Sequence, residues 1–441
     1  MTVVPLQPKG TTRGPAIDKG RVLASLDIGS TKVCCLIAQA LPPKHKNPSG
    51  DDEPVLKILG IGHQVSRGVK AGVVIDLDEA ERAMRLAVDA AERMAQTTIS
   101  EVVVNVSGGR PQSKSYSASV KVRSGQVLQA DIDAAILAAL GSADPGKRAF
   151  LHAVPYQFHL DEAKGVKHPT GMFGDTLTAD VNLVTIEPAA TKNMALAIER
   201  CHLGVGGYVI APYAAARSVL AEDEMSLGIT LIEMGGATTS VAVFRDGHMI
   251  FADVIPIGGQ HITNDIARGL STNIAHAERM KTLWGSALAS AADDRETVAV
   301  PQLGERGVDT VHQIPRSMLT GIIRPRLEET FELVRNRLEA SGVVHLAGRR
   351  AVLSGGASQL TGARELASHW LDKQVRHGSV SLIQGMPESA KSPGFAVAAG
   401  LLAHALKPDV EYMLPQKLQS SASASSQGYF ARVGKWIAEG F

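Results

Sequence analysis

The chain has 441 residues, with 45 lysines and arginines against 44 aspartates and glutamates. Such a length accommodates several domains with substantial cores, and the near balance of charge excludes the bulk attraction expected of a DNA-wrapping protein. Three cysteines, two of them adjacent (Cys34 and Cys35), suit reduced thiols in a cytosolic protein. No C-x-x-C or H-E-x-x-H spacing occurs among them or the 14 histidines, and no apolar run reaches the roughly 18 residues that a membrane span needs.

Residues 1–20 are polar, carry Pro5, Pro8 and Pro15, and predict a disordered tail without the apolar segment of a signal peptide. Residues 22–38, VLASLDIGSTKVCCLIA, read as a strand, the turn Asp27-x-Gly29-Ser30-Thr31, and a second strand. A Pro-, Lys- and Asp-rich loop over 41–54 leads to another strand at 56–65. The spacing of Ala80, Met84, Ala87, Val88 and Ala91 predicts an amphipathic helix over 78–95, capped by Asp78 with Glu81 three residues on. A buried strand at 100–106 follows, and an acidic helix start at 131–133. Further strands lie within 152–185. A helix is expected over 190–201. The run Gly204-Val205-Gly206-Gly207 follows that helix, whereas a dinucleotide loop must follow a strand, so it reads as a C-terminal turn. An Ala-rich helix opens at 211.

Residues 228–244, GITLIEMGGATTSVAVF, repeat the plan of 22–38: strand, glycine turn, strand. A turn alone accounts for one Gly-Gly pair. Two copies about 200 residues apart predict a duplicated fold, each turn a nest of backbone N–H groups able to meet an anion. Strand and helix continue through 254–267. Glu278 and Lys281, three apart on a helix, point to one side; a surface ion pair is the alternative reading. A long charged helix over 319–338 contains Arg324-Pro325-Arg326. Residues 351–362, AVLSGGASQLTG, are a strand running into Gly355-Gly356 and a helix start, and a small-residue helix covers 392–405. Beyond 407 comes a Ser-rich linker, 420–427 reading SSASASSQ, and then GYFARVGKWIAEGF to the end. Phe430, Val433, Trp436, Ile437 and Phe441 share one helical face flanked by Arg432 and Lys435, which fits an interfacial membrane helix. A helix docked on the protein's own core is the other possibility.

The three glycine motifs, in this order, resemble those of the actin, sugar-kinase and heat-shock-chaperone ATPase superfamily. The segment GVVIDLDEAERAMRLAVDAAERMA with ISEVVVNVSGG, and the terminal helix, narrow the resemblance to the FtsA family of bacterial cell-division actin homologues. It spans residues 20 to 441. It implies an α/β fold of two actin-like mixed-sheet halves with an inserted α+β subdomain (1C, SHS2-like) and a C-terminal amphipathic helix. The boundaries expected are a tail to 20, a first half over 21–78 and 165–215, the insert over 79–164, and a second half over 216–406 with a subdomain at about 265–345. A linker over 407–427 and the membrane helix over 428–441 complete the chain.

By the same resemblance the cofactors are ATP and Mg2+. Ser30, Thr31, Thr238 and Thr239 would bind phosphate beside Gly29, Gly235 and Gly236. Asp27 would hold the metal through water, and Lys32 would meet a phosphate oxygen. Glu278 and Lys281 would face ribose and adenine, and Gly355 and Gly356 the nucleoside. Arg326 would contact the C-terminal peptide of FtsZ. Self-association into filaments, other divisome proteins and an anionic membrane surface are the remaining implied partners, at the cytoplasmic face of the inner membrane and the division septum. The family shows Asp-x-Gly-Gly-Gly-Thr at the second hairpin. Here Glu233 and Ala237 depart from it, which predicts nucleotide binding with very slow hydrolysis. A pilus-assembly adaptor and a small-molecule kinase of the same fold are the competing readings; the terminal helix argues against both.

Overall fold

The computed structural model describes residues 20–42, 55–301, 311–380 and 383–407. The chain divides into a larger unit, 15–110 with 189–408, and a smaller one containing 111–188. Apart from Gly20 and Lys407, the expected tail, the 407–427 linker and the membrane helix with Phe430, Val433, Trp436, Ile437 and Phe441 lie outside the described residues.

The larger unit begins with β1 (Val22–Ile28), β2 (Lys32–Leu41) and β3 (Val55–Val65), a three-stranded antiparallel meander. A two-residue ribbon, β4 (Val69–Lys70) with β5 (Val73–Val74), leads to α1 (Leu77–Ala95) and β6 (Glu101–Val106). α1 is capped by Asp76 rather than Asp78. The Asp76 carboxylate accepts from the amides of Asp78 and Glu79 at 3.1 and 3.0 Å, satisfying the N–H groups that a helix start leaves without partners. The apolar stripe of Ala80, Met84, Ala87 and Ala91 packs on the sheet with Leu26, Val33 and Ile37. A side chain at Gly62 would bring its Cβ within 1.9 Å of the Ala87 carbonyl oxygen, so the helix lies flush on β3.

A strand, a helix and three further strands of the smaller unit follow: β7 (Gln112–Lys121), α2 (Gln129–Gly141), β8 (Ala149–Leu160), β9 (Ala163–Val166) and β10 (Thr176–Ile186). They form an antiparallel sheet in the order β7-β10-β8-β9. Ile132, Ala135, Ile136 and Ala139 of α2 are buried against Leu177, Ala179, Val181 and Leu183, the alternate residues of β10. The inserted unit therefore occupies 111–188, not 79–164. The helix and strand between 77 and 106 belong to the first sheet, because their apolar faces are spent on it.

The larger unit resumes with α3 (Pro188–Arg200), β11 (Gly204–Ile210), α4 (Ala211–Val219) and α5 (Glu222–Leu227). The glycine run at 204–207 is the start of β11, paired in parallel with β6 through an irregularity between Val205 and Gly207, not a helix-terminal turn. Next come β12 (Ile229–Met234), β13 (Thr239–Arg245), β14 (His248–Ile255), α6 (Gly259–Gly269) and α7 (Ile274–Trp284). After the ribbon of β15 (Thr297–Pro301) and β16 (Val311–Pro315), α8 (Arg316–Ser341), β17 (Arg350–Ser354), α9 (Ala363–Leu371), β18 (Gln374–His377), β19 (Ile383–Gln384) and α10 (Ala396–Leu406) close the described chain.

The first sheet runs β11-β6-β1-β2-β3-β19 and the second β14-β13-β12-β17-β18. Reversed, the second matches the first in every strand but β19, which has no counterpart: an antiparallel meander, then a parallel neighbour (β6 or β17), then a second parallel edge (β11 or β18). α4 and α10 cross between these repeats. They approach closely at Gly400, where a Cβ would stand 1.6 Å from the Ala214 carbonyl oxygen.

Candidate functional site

The two glycine hairpins share one closure. Gly29 N–H donates to the Lys32 carbonyl at 2.9 Å, and Gly235 N–H to that of Thr238 at 2.8 Å. Ladder pairs Asp27 with Cys34 and Glu233 with Ser240, so the two acids occupy equivalent positions. Among the described residues, no protein group accepts the amide hydrogens of Ser30, Thr31, Gly236 or Ala237. The tips touch: a Cβ on Gly236 would lie 2.5 Å from Cγ2 of Thr31.

Other elements hold the hairpins in place. Asn105, at the end of β6, accepts from the Ile28 amide at 2.7 Å. The carbonyls of Gly235 and Gly236 accept from the amides of Gly259 and Gln260, at 3.0 and 2.7 Å, which seats the second hairpin on the start of α6. Lys281 donates to Glu278 Oε2 at 2.7 Å, to Thr263 Oγ1 at 2.8 Å and to the Gly259 carbonyl at 3.0 Å. The two residues expected to share a helix side are thus knitted to the same helix start.

A cleft of about 620 Å³ is lined by both hairpins, the start of α6, Glu278 and Lys281 of α7, and the loop after β17. It contains Asp27, Gly29, Ser30, Thr31, Lys32, Gly235, Gly236, Thr238, Glu278, Lys281 and Gly356, all expected from the sequence. Thr239 and Gly355 are not in its wall. Thr239 is fully buried one strand position past Thr238 and so faces the other way. Gly355 has φ +83°, and a Cβ there would stand 2.3 Å from the Met234 carbonyl oxygen, so it packs behind the second hairpin. Lys32 lines the cleft, yet its ammonium is bound by protein: 2.5 Å from the Gly394 carbonyl and 3.8 Å from the centre of the Phe395 ring. Arg326 stands apart on α8, its guanidinium making two bonds to the Asp265 carboxylate, at 2.6 and 3.1 Å, and one of 2.5 Å to Glu329.

Asn105, Ser107, Gln260 and Phe395 also line the cleft and were not expected. A signal for the first pair existed. Ser107-Gly108-Gly109 just past β6 repeats Ser354-Gly355-Gly356 at the end of β17, each on the parallel neighbour of a hairpin.

Burial dominates the electrostatics. It pushes the Asp27 carboxyl up to about 6, an effect reduced by nearby Lys32. It pushes Glu233 up to about 8, with the Asp27 charge adding to the rise and Lys32 opposing it. Among the described residues no group of three or more metal-ligating side chains forms.

Duplicated sheets with one glycine hairpin apiece, opening on a common cleft, define an actin-like protein. In solved structures the fold recurs in the PilM-PilN type IV pilus biogenesis complex, at TM-score 0.60 and 16% identity over 88% of this chain and 99% of that one. It recurs in MreB5 of Spiroplasma citri bound to ADP, at 0.52 and 12% over 91% and 98%. The chain belongs to the FtsA family of cell division proteins. Residues 230–400 match the family described as Cell division protein FtsA, and 108–185 match the SHS2 domain inserted in FTSA, in agreement with the limits of the smaller unit. Cell division protein FtsA of Agrobacterium fabrum is 43% identical over 96% of both chains. That of Pseudomonas aeruginosa is 33% identical over 97% of this chain and all of its own, and that of Escherichia coli 30% over 96% and 98%.

Proposed function

We propose that this cell-division protein binds magnesium ATP in the cleft and tethers FtsZ filaments to the cytoplasmic membrane at the septum, where it recruits later divisome components. The observation that carries the nucleotide reading is the pair of hairpin tips whose amides of Ser30, Thr31, Gly236 and Ala237 have no protein acceptor and line one cleft. Those amides, with the hydroxyls of Ser30, Thr31 and Thr238, suit a polyphosphate. Asp27 would hold the magnesium ion through water; Gly356, Glu278 and Lys281 would border the nucleoside. When bound, the metal-chelated triphosphate supplies the negative charge that these donors neutralise.

Glu233 takes the place that an aspartate holds on the first hairpin, and with its carboxyl pushed up to about 8 it keeps its proton at neutral pH. A protonated acid cannot accept a proton from an attacking water. Turnover is therefore expected below about one per second, the low end of ordinary enzymes. Nucleotide binding by fluorescence and phosphate release, measured on one preparation, tests this. Binding with slow release is expected; release of several phosphates per second contradicts the role given to Glu233, and absence of binding overturns the nucleotide reading.

The tether rests on family membership and on the apolar face of residues 428–441. An acidic FtsZ tail reaching Arg326 would compete with Asp265 and Glu329 for its guanidinium. Self-association into filaments would multiply weak membrane contacts.

A further inference from the structure

The turn Pro393–Phe395, immediately before α10, is gripped from both repeats of the larger unit. The Pro393 carbonyl accepts from the Gly355 amide at 3.0 Å and from the Ser354 hydroxyl at 3.4 Å, at the end of β17 of the second sheet. The Gly394 carbonyl accepts from Lys32 of the first hairpin at 2.5 Å. The Lys32 ammonium also lies 3.8 Å from the centre of the Phe395 ring, and the His63 ring stands edge-on to that ring at 6.2 Å and 88°. Just past the turn, Ser218 and Ser25 donate to the carbonyls of Ala396 and Ala398, at 2.7 and 2.9 Å, fastening the start of α10 to α4 and β1.

Lys32 closes the first hairpin, as Thr238 closes the second, so its stem leaves a loop whose amides face the cleft. Its one positive charge has two claims on it. The turn offers a carbonyl and an aromatic face. An anion between the hairpin tips offers a stronger, charge-assisted bond. We infer that Lys32 is a positioning residue shared between the Pro393–Phe395 turn and a bound polyphosphate, so that nucleotide occupancy loosens the turn and is passed to α10. This rests on the nucleotide reading of the cleft. Phe395 then acts on the ligand through Lys32 and not as a platform for the base, and the two roles predict opposite signs.

The test is a cycle of ATP dissociation constants for the full chain, Phe395→Leu, Lys32→Met and the double variant. Removing the ring frees Lys32 for phosphate, so Phe395→Leu is expected to tighten ATP binding about two- to fivefold and to have no effect once Lys32 is methionine. Equal or weaker binding by Phe395→Leu overturns the inference while leaving the nucleotide reading intact. No ATP binding by the unaltered chain removes both. A second measurement needs no nucleotide: hydrogen exchange of residues 393–400 is expected to rise in Lys32→Met, with exchange in the inserted unit unchanged. Unaltered exchange over 393–400 shows that Lys32 does not hold the turn and overturns the inference independently.

Discussion

Asp27 and Glu233 hold one position on two copies of a hairpin, but burial leaves one carboxyl at about 6 and the other at about 8. A folded-state pKa above the unfolded value means that the native chain binds the proton more tightly, so stability falls as pH rises between the two values. For Glu233 the window runs from its ordinary 4.5 to about 8, and for Asp27 from 3.8 to about 6. The thermal midpoint should therefore decline from pH 5 to pH 8, and Glu233→Gln, which cannot ionise, should flatten the decline above pH 6. Differential scanning fluorimetry across that range checks it; an unchanged slope would mean that another group carries the effect. At this scale the glycine hairpins were legible because strand, turn and strand are neighbours in sequence. Thr239 falls outside the cleft wall because adjacent strand residues face opposite ways, and Thr238 takes the cleft side. Gln260 and Phe395 had no local pattern to betray them: the Gln260 amide is bonded to the Gly236 carbonyl of the second hairpin, and the two residues before Phe395 are held by Gly355 and Lys32.

Between α4 and α10 the backbones are closely apposed, with Gly400 facing the Ala214 carbonyl oxygen. In an ordinary helix interior, Gly→Ala gains up to about 1 kcal/mol. At Gly400 the added methyl meets backbone, and Gly400→Ala should instead destabilise by about 1–3 kcal/mol. Gly321 in α8 has open space around it and serves as the control: Gly321→Ala should stabilise. Urea unfolding of the two variants decides between propensity and packing. The same distinction explains where element boundaries were readable. The 3.6-residue period over 78–95 marked a helix correctly but said nothing of its partner, and α1 lies on the first sheet and not in the insert. The glycines of 204–207 have poor strand propensity. They form β11 because β6 offers an unpaired parallel edge, a tertiary reason that local composition does not carry.

For the molecule as a whole, the duplicated strand order and the inserted sheet account for the described residues, and the proposed membrane attachment falls to 428–441. Full burial of a large apolar side chain contributes about 1.5–3 kcal/mol. Partial insertion of Phe430, Val433, Trp436, Ile437 and Phe441 therefore supports reversible binding by one copy. Trp436→Glu puts a charge in the centre of that face and should weaken vesicle binding at least about tenfold. Flotation with anionic liposomes checks it, and undiminished flotation would mean that the segment docks on protein. The expectation of two actin-like halves was legible because the motif repeats; the matching sheet order was not, since it depends on which edges remain open.

The first sheet is not finished by the first repeat. Its outer edge beside β3 is closed by β19, and α10 is tied to β1 by the Ser25–Ala398 bond across 373 positions of sequence. On the ribosome, β1 to β3 thus wait for residues made after both hairpins. Until then β3 has an unpaired edge and β1 an uncovered apolar face, the features that recruit chaperones and invite wrong pairings. Synthesis of β19 and α10, rather than emergence of the first repeat alone, sets the moment at which this sheet can close.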